Sequence, residues 1–249
     1  MAPIMAQIAF DKMHGLGNDF VIFDARQTPL SVTGDVARAV ADRHRGVGCD
    51  QLVLLGPSDK ADLSMRIFNS DGSEVEACGN ASRCVIAREG MDCSIETAGG
   101  VIQGRIADSG LSVDMGQPRF QWDQIPLDHA VDTDPLPVGW ADLSNGICVN
   151  VGNPHVVFFV DDLSAIDFAE IGPLIENDPI FPERVNVNFA HVAADGGIDL
   201  VVWERGAGLT RACGTGACAT AVAAIRRKLA TGPVAVRLPG GTLTIDWQA

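Results

Sequence analysis

No run of about 18 uninterrupted apolar residues occurs in this sequence of 249, so a membrane span is not expected. The opening residues, MAPIMAQIAFDKMHG, lack a basic region leading into an apolar block of signal-peptide length, which points to a cytoplasmic protein. Basic residues are scarce, 18 against 32 acidic ones for a net charge of −14. The one basic run, Arg226, Arg227 and Lys228, closes an expected helix, where its dipole accounts for them. Strong attraction to a phosphate backbone is therefore excluded, and nucleic acid is not an expected partner. No Cys-x-x-Cys pair occurs and the five histidines are scattered, so no metal site is predicted. Seven cysteines, an odd number without an export signal, argue for reduced thiols and against a disulfide framework.

What is present is a globular composition, 47% hydrophobic and 20% charged, in a length that suits one large domain or two ordinary ones. Two stretches read alike: EACGNASRCVIA, Glu76 to Ala87, and RACGTGACATAV, Arg211 to Val222. Their cysteines, Cys78 and Cys213, stand 135 positions apart. The same offset carries GNDFVIF onto GNPHVVF, so that Asn18 falls on Asn153. It also carries Gln51 onto Asn186 and Asn69 onto Glu204, polar residue onto polar residue beside apolar runs. Short Gly-Asn matches are common, but four polar or thiol positions sharing one offset point to an internal duplication. Two similar domains are expected, residues 1–116 carrying Cys78 and 117–249 carrying Cys213, joined in the Pro- and Asp-rich segment 117–140.

Each half reads as mixed α/β (α+β). In the first, DFVIFDA, QLVLLG and LSMRIFN predict strands, VARAVADRH predicts a helix, and ACGN opens a short helix through Arg88 with Gly90 as its stop. In the second, HVVFFVDD, RVNVNFAHV and IDLVVWE predict strands. There Val185, Val187 and Phe189 alternate with Asn186 and Asn188, which places the two amides on the face opposite the apolar set. GTGACATAVAAIRRKL predicts a helix rich in small residues, suited to close packing inside a sheet.

A cysteine at a helix N-terminus meets unpaired backbone N–H groups and the positive end of the dipole, which favour the thiolate. The same N–H groups bind a carboxylate. Two such thiols facing each other across a pseudo-twofold axis suit one reaction: a thiolate takes the α-proton of an amino acid and a thiol on the opposite side returns one, inverting the centre. For a lone cysteine a buried structural role is the better account. At equivalent positions of a duplication the functional account is preferred, while Cys49, Cys84, Cys93, Cys148 and Cys218 are read as structural.

MHGLGNDF, GVGCDQ, RIFNSDGSEVEACGN, VGNPH, FPERVNVNF and ERGAGLTRACGTGACA together resemble the diaminopimelate epimerase family, over residues 10 to 225 or so. The resemblance implies two pseudo-symmetric domains, each a mixed sheet wrapped around a central helix. It further implies interconversion of LL- and meso-2,6-diaminopimelate, in lysine and peptidoglycan-precursor synthesis, without a cofactor. By resemblance Cys78 and Cys213 are the acid/base pair, and Gly79, Asn80, Gly214 and Thr215 offer helix-end donors to the reacting carboxylate. Asn69 and Glu204 would meet the distal ammonium, and Arg205, Asn153 and Asn186 the distal carboxylate, with Asn18 and Gln51 lining the cleft. His155 is read as an orienting or packing residue, since the thiols fill both proton-transfer roles. The partner implied is a small-molecule substrate, and a homodimer is compatible with the sequence. Two departures stand out: Ala81 where the family carries Gly, and a segment between Cys84 and Thr97 several residues short, which predicts an abbreviated first helix. The chain also ends at TLTIDWQA, before a strand that the family returns to its first domain.

Three other readings compete. GTGACA satisfies the dinucleotide pattern G-x-G-x-x-A, but the next acid after Ala219 is Asp246, too late for a ribose partner, which disfavours an NAD-dependent dehydrogenase. A thiol redox sensor would use the same two cysteines without turnover. Another two-cysteine racemase, of the proline type, would leave the charges of Glu204 and Arg205 without substrate partners, which is costly in a cleft.

Overall fold

The structure, a computed structural model, describes residues 7–76, 78–107 and 110–248. Its strands form two sheets. The first contains β1 (Asp11–Gly15), β2 (Asn18–Asp24), β3 (Gln51–Gly56), β4 (Leu63–Asn69), β5 (Glu74–Val75), β6 (Cys93–Thr97), β7 (Gly100–Ala107) and β8 (Gly110–Asp114). The second contains β9 (Ile147–Asn150), β10 (Pro154–Phe159), β11 (Asn186–Val192), β12 (Ile198–Glu204), β13 (Gly208–Leu209), β14 (Val234–Leu238) and β15 (Gly241–Ile245). Four α-helices accompany them among the described residues: α1 (Gly34–Ala41), α2 (Gly79–Glu89), α3 (Phe168–Glu176) and α4 (Gly214–Arg226). None is long and apolar enough to cross a membrane.

The duplication is written into the strand register. In the first sheet β2 runs parallel to β3 with Phe20 opposite Gln51, and in the second β10 runs parallel to β11 with His155 opposite Asn186. Leu52 pairs with Phe68 as Val187 pairs with Trp203, and Phe68 with Glu74 as Trp203 with Leu209. Beyond the central helices the offset grows: Leu63 pairs with Ile95, but Ile198 pairs with Val236. The missing residues shorten the first helix, 11 residues against 13, as the short segment after Cys84 predicts.

Each sheet curls around its helix because both carry apolar side chains on the facing surfaces. Ala81, Cys84, Val85 and Ile86 of α2 pack among Phe20, Ile22, Val53, Leu55, Met65 and Ile67. In the second lobe Ala217, Ala221, Val222 and Ala224 of α4 pack among Val149, Val157, Leu200, Val202 and Val236. Each large side chain so buried contributes about 1.5–3 kcal/mol. On the outer faces α1 covers Val21, Leu52 and Phe68, and α3 lies against the cluster of Phe158, Val187 and Phe189. Strands buried on both sides in this way read as continuous apolar runs, as LVLL at residues 52–55 does.

Two local expectations need correcting. The second helix ends at Arg226, with Arg227 as its cap and Lys228 turning to φ 59°, so the chain leaves the helix before Leu229. The basic run is held by more than the helix dipole: Arg227 donates to Asp134 at 2.8 Å and Arg226 lies over the Phe120 ring at 3.9 Å.

Candidate active site

Both helices begin on a cysteine. Cys78 has extended backbone (φ −149°, ψ 109°), and the Ala81 N–H donates to its sulfur at 3.5 Å. Cys213 repeats this (φ −129°, ψ 111°), with the Gly216 N–H donating to its sulfur at 3.3 Å. The thiols thus occupy the N-cap position that Ser, Thr, Asp or Asn take in most helices. Gly90 closes α2 in the left-handed region at φ 70°, the role predicted for it.

The two helix mouths meet at the lobe interface. A Cβ on Gly214 would lie 3.0 Å from the Gly79 Cα and 3.3 Å from the Asn80 nitrogen, so a methyl there requires the helix ends to give by a few tenths of an ångström. Around this contact Asn80 Nδ2 donates across the lobes to the Ala212 carbonyl at 2.9 Å, and Arg205 pairs with Glu76 at 2.6 Å. We expect Gly214→Ala to lower kcat/KM by about 10- to 100-fold by wedging the lobes apart. The thermal midpoint should hold, because alanine is the better helix former. Steady-state kinetics and thermal unfolding check this; a loss of stability matching the loss of activity would contradict it.

The chamber between the lobes is closed. Its volume is about 20 Å³, and Asn18, Gln51, Asn69, Cys78, Asn153, Asn186, Glu204, Arg205, Cys213, Gly214 and Thr215 line it. Ligand sites ordinarily need about 300–1,000 Å³, so a substrate enters only when the lobes part. A larger open hollow of about 610 Å³ adjoins it and shares Asn18, Gln51, Asn69 and Glu204. Gly79 and Asn80 do not line the chamber; they form the lobe contact instead.

The lining is polar, and Asn18, Gln51 and Asn69, which by sequence alone fit a turn or a solvated strand end equally well, are buried in it. Gln51 and Asn69 are buried, with Gln51 Nε2 donating to Asn69 Oδ1 at 2.9 Å. Gln51 Oε1 is buried and meets no donor among the described residues. Asn18 accepts from Asn80 Nδ2 at 3.3 Å, and its own Nδ2 donates to Asp50 at 3.1 Å. Asn186 is committed to backbone: its Nδ2 donates to the Pro154 carbonyl and its Oδ1 accepts from the Arg205 N–H. Glu204 and Arg205 are not an ion pair with each other. Glu204 accepts from Thr210 at 2.5 Å, while Arg205 reaches Glu76, a residue for which the sequence offered no signal beyond its charge.

The expectation that the helix ends would favour thiolates is overturned in this closed state. Burial, joined by the nearby Glu204 charge, pushes the Cys78 thiol up to about 12, and the Ala81 and Asn80 N–H groups only partly oppose it. Burial likewise holds Cys213 well above the ordinary thiol range, with Glu204 adding to it and Thr215 and Gly216 subtracting. Desolvation exceeds the helix-end effect once water is excluded. Burial also raises the Glu204 carboxyl, with the Thr210 hydroxyl and the Cys213 thiol pulling it back.

His155 is fully enclosed, and burial lowers it from an ordinary 6.5 to about 3. Between these two values the unfolded chain takes up a proton that the folded ring refuses, so stability falls as pH falls. From pH 6.5 to 5 this one group removes about 2 kcal/mol. Urea unfolding at pH 7 and pH 5 should therefore show a steeper loss in the wild type than in His155→Phe, and equal losses would exclude a neutral buried ring.

The fold and the paired thiols define the class: a two-lobed isomerase. Solved structures share the fold, among them a hydroxyproline epimerase from Agrobacterium vitis (TM-score 0.64, 15% identity, covering 94% of this chain and 81% of that one). Another is a probable proline racemase from Agrobacterium radiobacter K84 (TM-score 0.65, 18% identity, covering 95% and 83%). The chain belongs to the diaminopimelate epimerase family, whose model matches residues 10–121 and 147–249. The diaminopimelate epimerase of Erythrobacter litoralis is 60% identical over 244 residues, 98% of this chain and 91% of the relative.

Proposed function

We propose that the protein interconverts LL- and meso-2,6-diaminopimelate by moving one α-proton between Cys78 and Cys213. The observation that carries this is the pair of thiols capping two abutting helices, each on its own lobe. A thiolate on one side removes the α-proton, and the opposite thiol delivers its own proton to the other face. Each turnover leaves thiolate and thiol exchanged, so the enzyme is poised for the reverse reaction until a proton returns. Glu204 lies against Cys213, and the Thr215 hydroxyl stands 3.5 Å from the same sulfur.

The substrate supplies charged groups that complement the chamber lining. Its reacting carboxylate lies on the N–H groups of Gly214 and Thr215 and, once the lobes have parted, of Gly79 and Asn80, where charge developing at the α-carbon is stabilised. Its α-ammonium, carried on the carbon held between the sulfurs, favours the thiolate that burial disfavours. At the far end an ammonium meets Glu204, Asn69 and the unpartnered Gln51 oxygen, and a carboxylate meets Arg205, Asn153 and Asn186. Asn18 holds the Cys78 side, its Oδ1 lying 4.0 Å from that sulfur. A proline-type substrate has no second ammonium and carboxylate, and would strand these charges. The lobes divide after Gly116, and the protein works in the cytoplasm, where its acidic surface and reduced thiols are at home.

Incubating the protein with LL-diaminopimelate in D₂O should yield the meso form with deuterium at the inverted carbon. Recovery of unlabelled LL substrate alone would refute the reading.

A further inference from the structure

The second lobe contains a buried polar chain that its twin does without. Thr220 of α4, Asn188 of β11 and His155 of β10 are each wholly enclosed. Their equivalents at the 135-residue offset are Val85, Val53 and Phe20, also wholly enclosed and purely apolar. The first lobe thus serves as an internal control: this sheet and helix pack without any polar group at the three positions. Burying an amide, a hydroxyl and an imidazole costs free energy unless every hydrogen bond is made, so the fold alone gives no reason for them.

The chain has a direction. Asn188 Nδ2 donates to the Gly216 carbonyl and to Thr220 Oγ1, both at 3.1 Å. A backbone carbonyl only accepts, so the amide nitrogen is fixed on that side and Oδ1 faces His155 Nδ1 at 3.2 Å. Nδ1 therefore carries the ring proton. Burial and the neighbouring Arg205 charge keep a second proton off the ring, leaving a lone pair on Nε2. Nε2 lies 2.9 Å from the Oδ1 position of the Asn153 amide. Two acceptors do not bond, and a half-turn exchanges the nearly isosteric ends of an amide, so it is Asn153 Nδ2 that faces the ring. Its second N–H and its Oδ1 are left for the cleft that Asn153 lines.

We propose that Asn188 and Thr220 are positioning residues, which set the tautomer of His155 and, through it, the way the Asn153 amide meets the distal end of the substrate. This rests on the proposal above that Asn153 contacts substrate. A metal-binding histidine is oriented by an outer partner in the same manner. Because the chain starts on the Gly216 carbonyl, it also ties Asn153 to the first turn of the Cys213 helix.

The test gives the second lobe the core of the first. The triple variant His155→Phe, Asn188→Val, Thr220→Val should fold with an unchanged or higher thermal midpoint, raise KM at least tenfold and leave kcat within about threefold. Thr220→Val alone should raise KM less, and Thr220→Ser should restore it. Nitrogen-15 spectra of the wild-type His155 ring should show a protonated Nδ1 and an unprotonated Nε2 from pH 6 to 9. An unchanged KM in the folded triple variant would overturn the proposal. So would a collapse of kcat at constant KM, which would make His155 a proton-transfer group, or a ring spectrum with Nε2 protonated. If the triple variant does not fold, the ring spectrum and the Thr220 pair decide. Wild-type protein inert toward diaminopimelate would sink the proposed function instead, and the spectrum would still report the tautomer.

Discussion

Replacing either Cys78 or Cys213 by alanine is expected to lower kcat/KM for epimerisation by about 10³-fold or more, since each removes one of two proton-transfer groups. The losses should not add, because the proton must leave one face and arrive at the other in a single turnover. The Cys→Ser variants separate the halves of the reaction. With serine at one position the remaining thiol should still exchange the α-proton of one isomer with solvent deuterium, without inversion. Chiral chromatography with mass spectrometry of the product in D₂O reads both quantities. Substantial inversion by either alanine variant would remove the two-thiol mechanism. Both caps sit on helix ends whose N–H groups they satisfy, so alanine should also cost about 1 kcal/mol of stability. That is too little to account for the loss of turnover.

Glu204→Gln should have two effects of opposite character. Removing the carboxylate deprives the distal ammonium of its charged partner, and KM should rise by about 10- to 100-fold. The same charge is among the causes that raise both thiols, so its loss should lower them. Alkylation of Cys78 by iodoacetamide, followed against pH by mass spectrometry, should therefore begin at lower pH in the variant. An onset unchanged or moved to higher pH would mean that the Glu204 charge does not reach the thiol. A purely structural role for Glu204 would change both measurements only through unfolding, which circular dichroism would reveal.

The thiols and their polar companions were legible because a duplicated sequence aligns with itself. Gln51 and Asn186 stand at equivalent register positions in the two sheets, opposite Phe20 and His155, as a constant offset requires. The helix starts were legible too, since Ala-Cys-Gly before a small-residue run marks an N-terminus at both sites. The Arg205 partnership was not. Its carboxylate comes from Glu76, 129 positions away on the other lobe, while the adjacent Glu204 turns to Thr210. Nor were Asn188 and Thr220 singled out as functional, for each sits in a pattern that already had an account: an alternating strand and a helix of small residues. The signal that would have found them is the offset itself, used to ask where the halves differ.

Amino-acid order alone determined the twofold plan of this protein, the ends of its two central helices and the cysteines that open them. These depend on local backbone preference and on repetition, both of which are properties of the chain. Only the folded molecule decided that the helix mouths touch through two glycines, that the chamber is shut, and that burial rather than the helix dipole governs the thiols. Those outcomes depend on how much water is excluded and on which charges converge from distant segments, and neither quantity exists until the lobes have packed together.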